Sequence, residues 1–324
     1  MAIKSNKYEK ITDAGKKFIA YALSTMKFTG FKGSMGWAMT DGGIERDEIV
    51  SGDIKDHLNK TITTNEQYLN SIIHWYEQYG QQYNINPNIL AAQGYKESTF
   101  RSYAYAKGTS AMGISQFLIP TIRDVIINNL RSEFTTSERN AITKNITPIN
   151  GTTVSDMKNY YIVKDSGQNK NNSTTDEATL SSGNRLALYH NVVNNPQIMI
   201  KAQALLLNTI AQHHNNLAAS ALFLYYSGPY ITYPNGNSSF TSNSFGDLFD
   251  KVLRKKRKNV DVYSPVVIDG GLEYVRGIFQ FLSKDVGISN GKHSFGFEID
   301  LNEIKGGDIV DTSKSHEIRI NPIV

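Results

Sequence analysis

Residues 97–121 read ESTFRSYAYAKGTSAMGISQFLIPT, and the fold turns on how that stretch begins. Just upstream, Asn86 and Pro87 form an N-cap and a first-turn proline. The asparagine side chain can accept from an orphan amide, and proline has no amide to leave unpaired. The helix they start carries Ile89, Gln93 and Glu97 four residues apart, which sets all three on one face. Glu97 is therefore expected to point into the protein or into a cleft, on the last turn before the polar residues that end the helix. A carboxyl there meets the negative end of the helix dipole, and partial burial also disfavours its charge. Both effects raise its pKa, as a general acid working near neutral pH requires. The competing reading is a glutamate that tips outward at a fraying helix end.

Upstream of this helix, Thr64 followed by Gln67 fits a capping box. Tyr68, Leu69, Ile72, Ile73, Tyr76 and Tyr79 then form an apolar stripe, and Gly80 is expected to stop the helix. Closer to the start of the chain, Ile11, Phe18, Ile19 and Leu23 recur at helical spacing. A Gly-rich stretch from Thr29 to Gly43 reads as irregular structure.

Downstream, residues from about 128 to 195 include GQNKNNSTTDEATLSSGN (residues 167–184) and read as a long, partly irregular insertion, because such a composition buries little apolar surface. Helical periodicity returns at Ile198, Ile200, Ala204, Leu205 and Ile210, and again from Leu217 to Tyr226. The basic run Arg254 to Lys258 reads as a solvated helix end. Beyond it, Phe295, Phe297, Ile299 and Leu301 alternate with polar residues, as do Ile318 and Ile320, which predicts strands.

Composition bounds the function classes. With 40% apolar and 20% charged residues over 324 positions, the chain is of ordinary globular make-up and can hold one domain with additions. The absence of cysteine excludes disulfides, a thiol nucleophile and thiolate metal sites. His213 and His214 are neighbours that diverge on a helix, and no other histidine pair has ligand spacing, so neither metal nor cofactor is expected. A net charge of +4 suits an anionic cell wall but falls short of a nucleic-acid signature. The first residues, MAIKSNKYEKITDAGKKFIAYAL, do not read as a secretory signal, and no stretch approaches the ~20 apolar residues of a membrane span.

Three ordered stretches carry a resemblance. Glu97, Ser98, Phe100 and Ala104 match a Glu-Ser motif with its following Phe and Ala, and Ala111, Gly113, Ile114 and Gln116 match a Gly-Ala-x-Gly-Leu-Met-Gln turn. Tyr225, Ser227, Gly228 and Pro229, in LYYSGP, match an Ala-Tyr-Asn-Ala-Gly-Pro motif after a long helix. Together they resemble the lytic transglycosylases with the goose-type lysozyme-like fold over roughly residues 65–235. Ser110, Ser115 and Tyr226 depart from the family pattern, standing for Gly, Met and Asn, and Pro120 falls one residue late.

Taken with the alternation near the C-terminus, the resemblance implies an α+β chain. A mainly α-helical lysozyme-like domain would span 61–258, with the insertion within it. An N-terminal extension (1–60) for docking or irregular structure would precede it, and a small β-containing element (259–324) would follow. It also implies a substrate, the glycan strands of peptidoglycan, with Glu97 as the single catalytic acid and base. Ser98 and Gln116 would hydrogen-bond substrate, Gly113 would let backbone approach the sugar, and Tyr225 would orient Glu97. Tyr226 takes the place of the Asn that helps hold the acetamido group or the acid. Tyr103, Tyr105, Tyr230 and Tyr233 are stacking candidates, with plain packing the alternative for each.

A muramidase of the same fold, using Asp124 or an acid of the insertion, stays open, as does a structural protein that has lost activity. The carrier is expected to be a bacteriophage tail or baseplate, with partners among other virion proteins and the cell wall as the place of action.

Overall fold

The computed structural model describes residues 10–24, 53–105, 111–146, 162–163, 178–179, 182–227, 248, 256–257, 260–261, 265–289 and 292–299. It is mainly helical. Helix α1 spans Asp13–Ser24, α2 Asn65–Gln82 and α3 Pro87–Ser98. Helix α4 (Ile119–Ile122) widens into a π-turn at Arg123–Ile127. Helices α5 (Thr136–Thr143), α6 (Ser182–Asn194), α7 (Pro196–His213), α8 (Ala218–Ser227) and α9 (Pro265–Leu282) follow. Two-residue antiparallel pairs join Ile162–Val163 to Ala178–Thr179 and Lys256–Arg257 to Val260–Asp261.

The helix starts form as their local chemistry dictates. At α2 the Gln67 amide donates to Thr64 Oγ1 at 3.2 Å while the Thr64 amide donates to Gln67 Oε1 at 3.2 Å, the reciprocal bonds of a capping box. At α3 the Asn88 amide donates to Asn86 Oδ1 at 2.9 Å, with Pro87 in the first turn. The end of α2 corrects an expectation. The helix runs two residues past Gly80, and the left-handed residue beyond it is Asn84 (φ 52°). Gly80 instead makes room for the returning chain, since a Cβ there would stand 2.9 Å from the Ile85 carbonyl and 3.1 Å from Pro87.

The chain folds as two compact units. One comprises Met1–Thr25, Ile72–Lys96 and Gln203–Val324. Here α1 buries Phe18, Ile19, Ala22 and Leu23, the face its periodicity predicts. Phe18 packs on Tyr95, Phe281 and Phe295 with ring centroids 4.8, 6.0 and 4.9 Å apart. The amide of Thr12 donates to Asn88 Oδ1 and its hydroxyl donates to the Phe295 carbonyl. Buried Gln93 donates from Nε2 to the Tyr274 hydroxyl at 3.1 Å and accepts at Oε1 from Gln203 Nε2 at 3.0 Å, so one polar knot fastens α3 to α7 and α9. Helix α8 packs on α9 where Gly270 and Gly271 leave space, with Tyr226 on the first and the Phe223 ring on the second.

The other unit comprises Met26–Ser71 and Glu97–Ala202. Part of the stretch read as an insertion is helical and buried. Helix α6 contributes Leu188, Tyr189, Val192 and Val193 to the core and α5 contributes Ile142. LALYHNVV (residues 186–193) has apolar residues at helical spacing, and the polar run before it hides that signal in a wide window. Asn191 Nδ2 donates to the carbonyls of Ile142 and Lys144, tying α6 to the end of α5. Buried Lys201 pairs with Glu138 at 2.8 Å and lies 4.9 Å from the Phe134 ring centroid. Residues 147–161 and 164–177 lie outside the described residues, as does the Gly-rich stretch 29–43.

The tail differs from expectation at two points: the basic run is not a helix end, and Phe295, Phe297 and Ile299 form no strand. Lys256 and Arg257 lie in a strand pair, not at a helix end. Phe295 and Phe297 are buried in coil held by the single bridges Ser283↔Phe297 and Ile288↔His293. Leu301, Ile318 and Ile320 lie outside the described residues.

Candidate active site

Glu97 is half-buried on the last turn of α3, with Gln93 buried one turn before it. The chain then turns sharply. Thr99 (φ 53°) and Phe100 (φ 63°) are consecutive left-handed residues, neither of them glycine. That backbone costs about 1–2 kcal/mol per residue and persists only where surroundings enforce it. The enforcing bonds converge on the turn. The Ser98 carbonyl accepts from Thr99 Oγ1 at 2.6 Å, from the Arg101 amide at 3.1 Å and from Arg101 Nε at 3.0 Å. Fully buried Phe100 anchors the turn from below, and its carbonyl accepts from the Tyr68 hydroxyl at 2.7 Å.

The second motif folds onto the first. Ser98 is 2% exposed, and its hydroxyl donates to the Ile114 carbonyl at 2.8 Å. Gln116 (φ 46°) is half-buried, and its Nε2 donates to the carbonyls of Ala104 at 3.1 Å and Gly113 at 2.9 Å. The Gly113 amide donates to the same Ala104 carbonyl at 2.8 Å, and Met112 and Phe117 exchange both backbone bonds. Ser115 Oγ reaches the Met199 carbonyl at 3.1 Å. Ser98 and Gln116 thus spend these donors on backbone carbonyls of the scaffold. Gly113 (φ 77°) is glycine for a protein reason, because a Cβ there would stand 2.4 Å from Val192 Cγ1.

The tyrosines divide. Tyr105 is 2% exposed and packs edge-on to Tyr189 at 5.7 Å, which makes it core. Tyr103 is half-buried, and burial pushes its phenol pKa up. Its carbonyl accepts from the Tyr189 hydroxyl. Burial raises the phenols of Tyr68 and Tyr189 far above their ordinary value, so both stay protonated donors. In the other unit, Tyr225 is half-buried on α8, and Tyr226 is half exposed with its ring 5.1 Å from that of Tyr274. Gly228, Pro229, Tyr230 and Tyr233 lie outside the described residues.

Asp124, weighed as a second acid, is exposed and held by Arg123 through bonds of 2.6 and 3.1 Å. Among the described residues no cluster of three His, Asp or Glu side chains is placed to hold a metal ion. No described helix is long and apolar enough to cross a membrane. Tyr68, Tyr189 and Val192 shape this site without any signal in the motifs. Tyr68 registers in the sequence only as part of an apolar stripe, and the other two sit in a segment whose polar neighbours mask it. No protein-family model matches the chain, and neither does any curated protein or solved structure.

Proposed function

We propose that this chain is a lytic transglycosylase that cleaves the β-1,4 bond between N-acetylmuramic acid and N-acetylglucosamine in peptidoglycan. One observation carries the reading. Two stretches that resemble the family's motifs are knit together by the bonds from Ser98 to Ile114 and from Gln116 and Gly113 to Ala104, in the segment that directly follows a half-buried Glu97. A carboxyl so placed can serve as acid and then as base.

In the proposed reaction Glu97 donates its proton to the glycosidic oxygen as the bond to the muramic C1 breaks. The muramic acetamido group stabilises the positive C1. The 6-hydroxyl of the same sugar attacks C1, and its proton returns to Glu97. The products are a 1,6-anhydromuramic end and a free 4-hydroxyl on the glucosamine. Atoms balance without water, metal or cofactor. An ordinary glycosidase needs a second carboxylate, and Asp124 is engaged by Arg123 on the surface, which favours the substrate-assisted route over a muramidase that uses Asp124.

The deciding experiment is mass spectrometry of fragments released from purified peptidoglycan by wild type and by Glu97→Gln. Anhydromuramic ends from the wild type alone are the expected result. Reducing ends would replace the reading with a hydrolase, and no release on walls of several hosts would leave a structural protein. The same reading places the enzyme in a phage tail or baseplate, docked through elements outside the resembling region. Its absence from the mass spectrum of purified virions would remove that placement.

A further inference from the structure

We infer that Tyr68 is a positioning residue for Glu97, acting through the left-handed turn that ends α3. The turn Thr99–Phe100 holds two successive non-glycine residues at positive φ, one of them β-branched, immediately after the Glu97-Ser98 pair. Such backbone relaxes toward ordinary conformations unless something holds it. Below the turn, Tyr68 is 1% exposed, and its hydroxyl donates to the Phe100 carbonyl. The burial that keeps solvent out also makes this bond hard to replace with water. Tyr68 stands on the first turn of α2, four residues after the Thr64 cap, so its own backbone is fixed by the capping box.

The consequence is a rigid path from α2 to the carboxyl. Helix α2 fixes Tyr68, Tyr68 fixes the Phe100 carbonyl, and that carbonyl fixes the turn on which the direction of the last α3 residues depends. Without the hydroxyl the ring still fills its place, but the turn is free to relax, and the Glu97 carboxyl loses its set orientation. A misplacement of about 1 Å at a reacting group is enough to cost up to a hundredfold in rate.

Tyr68→Phe keeps the ring and removes only the hydroxyl. Two measurements test it, and only the first rests on the transglycosylase reading. In turnover of peptidoglycan, kcat is expected to fall roughly tenfold to a hundredfold with KM unchanged. In carboxyl-resolved NMR, with the Glu97 signal assigned by its loss in Glu97→Gln, the Glu97 midpoint is expected to move by about half a pH unit or more. Adding Thr99→Gly, which takes positive φ without cost, is expected to restore both readouts part-way.

A Tyr68→Phe protein with wild-type kcat and an unmoved Glu97 titration, whatever its melting temperature, overturns the inference. If the wild type releases no fragments, the function reading fails alone, and the titration still decides on Tyr68. If Tyr68→Phe does not fold, Thr99→Val alone decides: it keeps a β-branched residue at positive φ and removes the 2.6 Å bond to the Ser98 carbonyl that helps hold the turn, so an unmoved Glu97 titration would overturn the inference.

Discussion

At Gly113 two constraints meet. The backbone is left-handed at φ 77°, and Val192 occupies the space where a side chain would begin. Gly113→Ala must therefore distort the turn and push back α6, at a cost of about 1–3 kcal/mol for the overpacking alone. Urea denaturation measures it, and an alanine variant as stable as wild type would mean that the turn can rearrange. His190, in the same helix as Val192, offers a separate residue-level test. Burial lowers its imidazole pKa below the ordinary value. The unfolded chain then binds the proton more readily than the folded one, so stability present at neutral pH declines as pH falls below the ordinary imidazole range. Melting temperatures from pH 7 to 5 should fall in wild type and fall less in His190→Gln. Parallel curves would show that burial of His190 does not couple to stability.

Among elements, the contact of α8 with α9 depends on what stands opposite each glycine. A Cβ at Gly271 would lie 2.6 Å from the ring of fully buried Phe223, which has nowhere to go. At Gly277 the nearest atom is Lys96 Nζ at 2.8 Å, the mobile end of an exposed side chain. Gly271→Ala is expected to lower stability by about 1–3 kcal/mol. Gly277→Ala should be neutral or gain up to about 1 kcal/mol, since alanine is the better helix former. Thermal melts of the pair check the contrast, and equal losses would contradict it. The same scale shows what was legible in the sequence. The starts of α2 and α3 and the buried face of α1 follow from residues within a turn or two of each other. The end of α2 does not, because the space that Gly80 provides is taken up by Pro87 in the next element.

Across the whole molecule, one described unit is closed by segments from opposite ends of the chain. Phe295 lies against Phe18 with its ring beside Gly15, while its carbonyl accepts from Thr12. Phe295→Ala should cost about 3–5 kcal/mol by emptying a fully buried aromatic site. Equilibrium denaturation tests this, and a loss under about 1 kcal/mol would mean that the site collapses without penalty.

The sequence by itself determined the starts of α2 and α3, the buried face of α1, the helical character of α7 and α8 and the order of the three motif stretches. These depend on periodicity and on partners three or four residues away, which helix geometry fixes. Only the tertiary structure decided that Ser98 and Gln116 bond to the scaffold, that Gly113 yields to Val192, that Tyr105 is core, and that Tyr68 holds the turn behind Glu97. Those partners lie 12 residues away for Gln116, 16 for Ser98 and 32 for Tyr68. No local rule specifies such pairings, because each exists only once the intervening helices have packed.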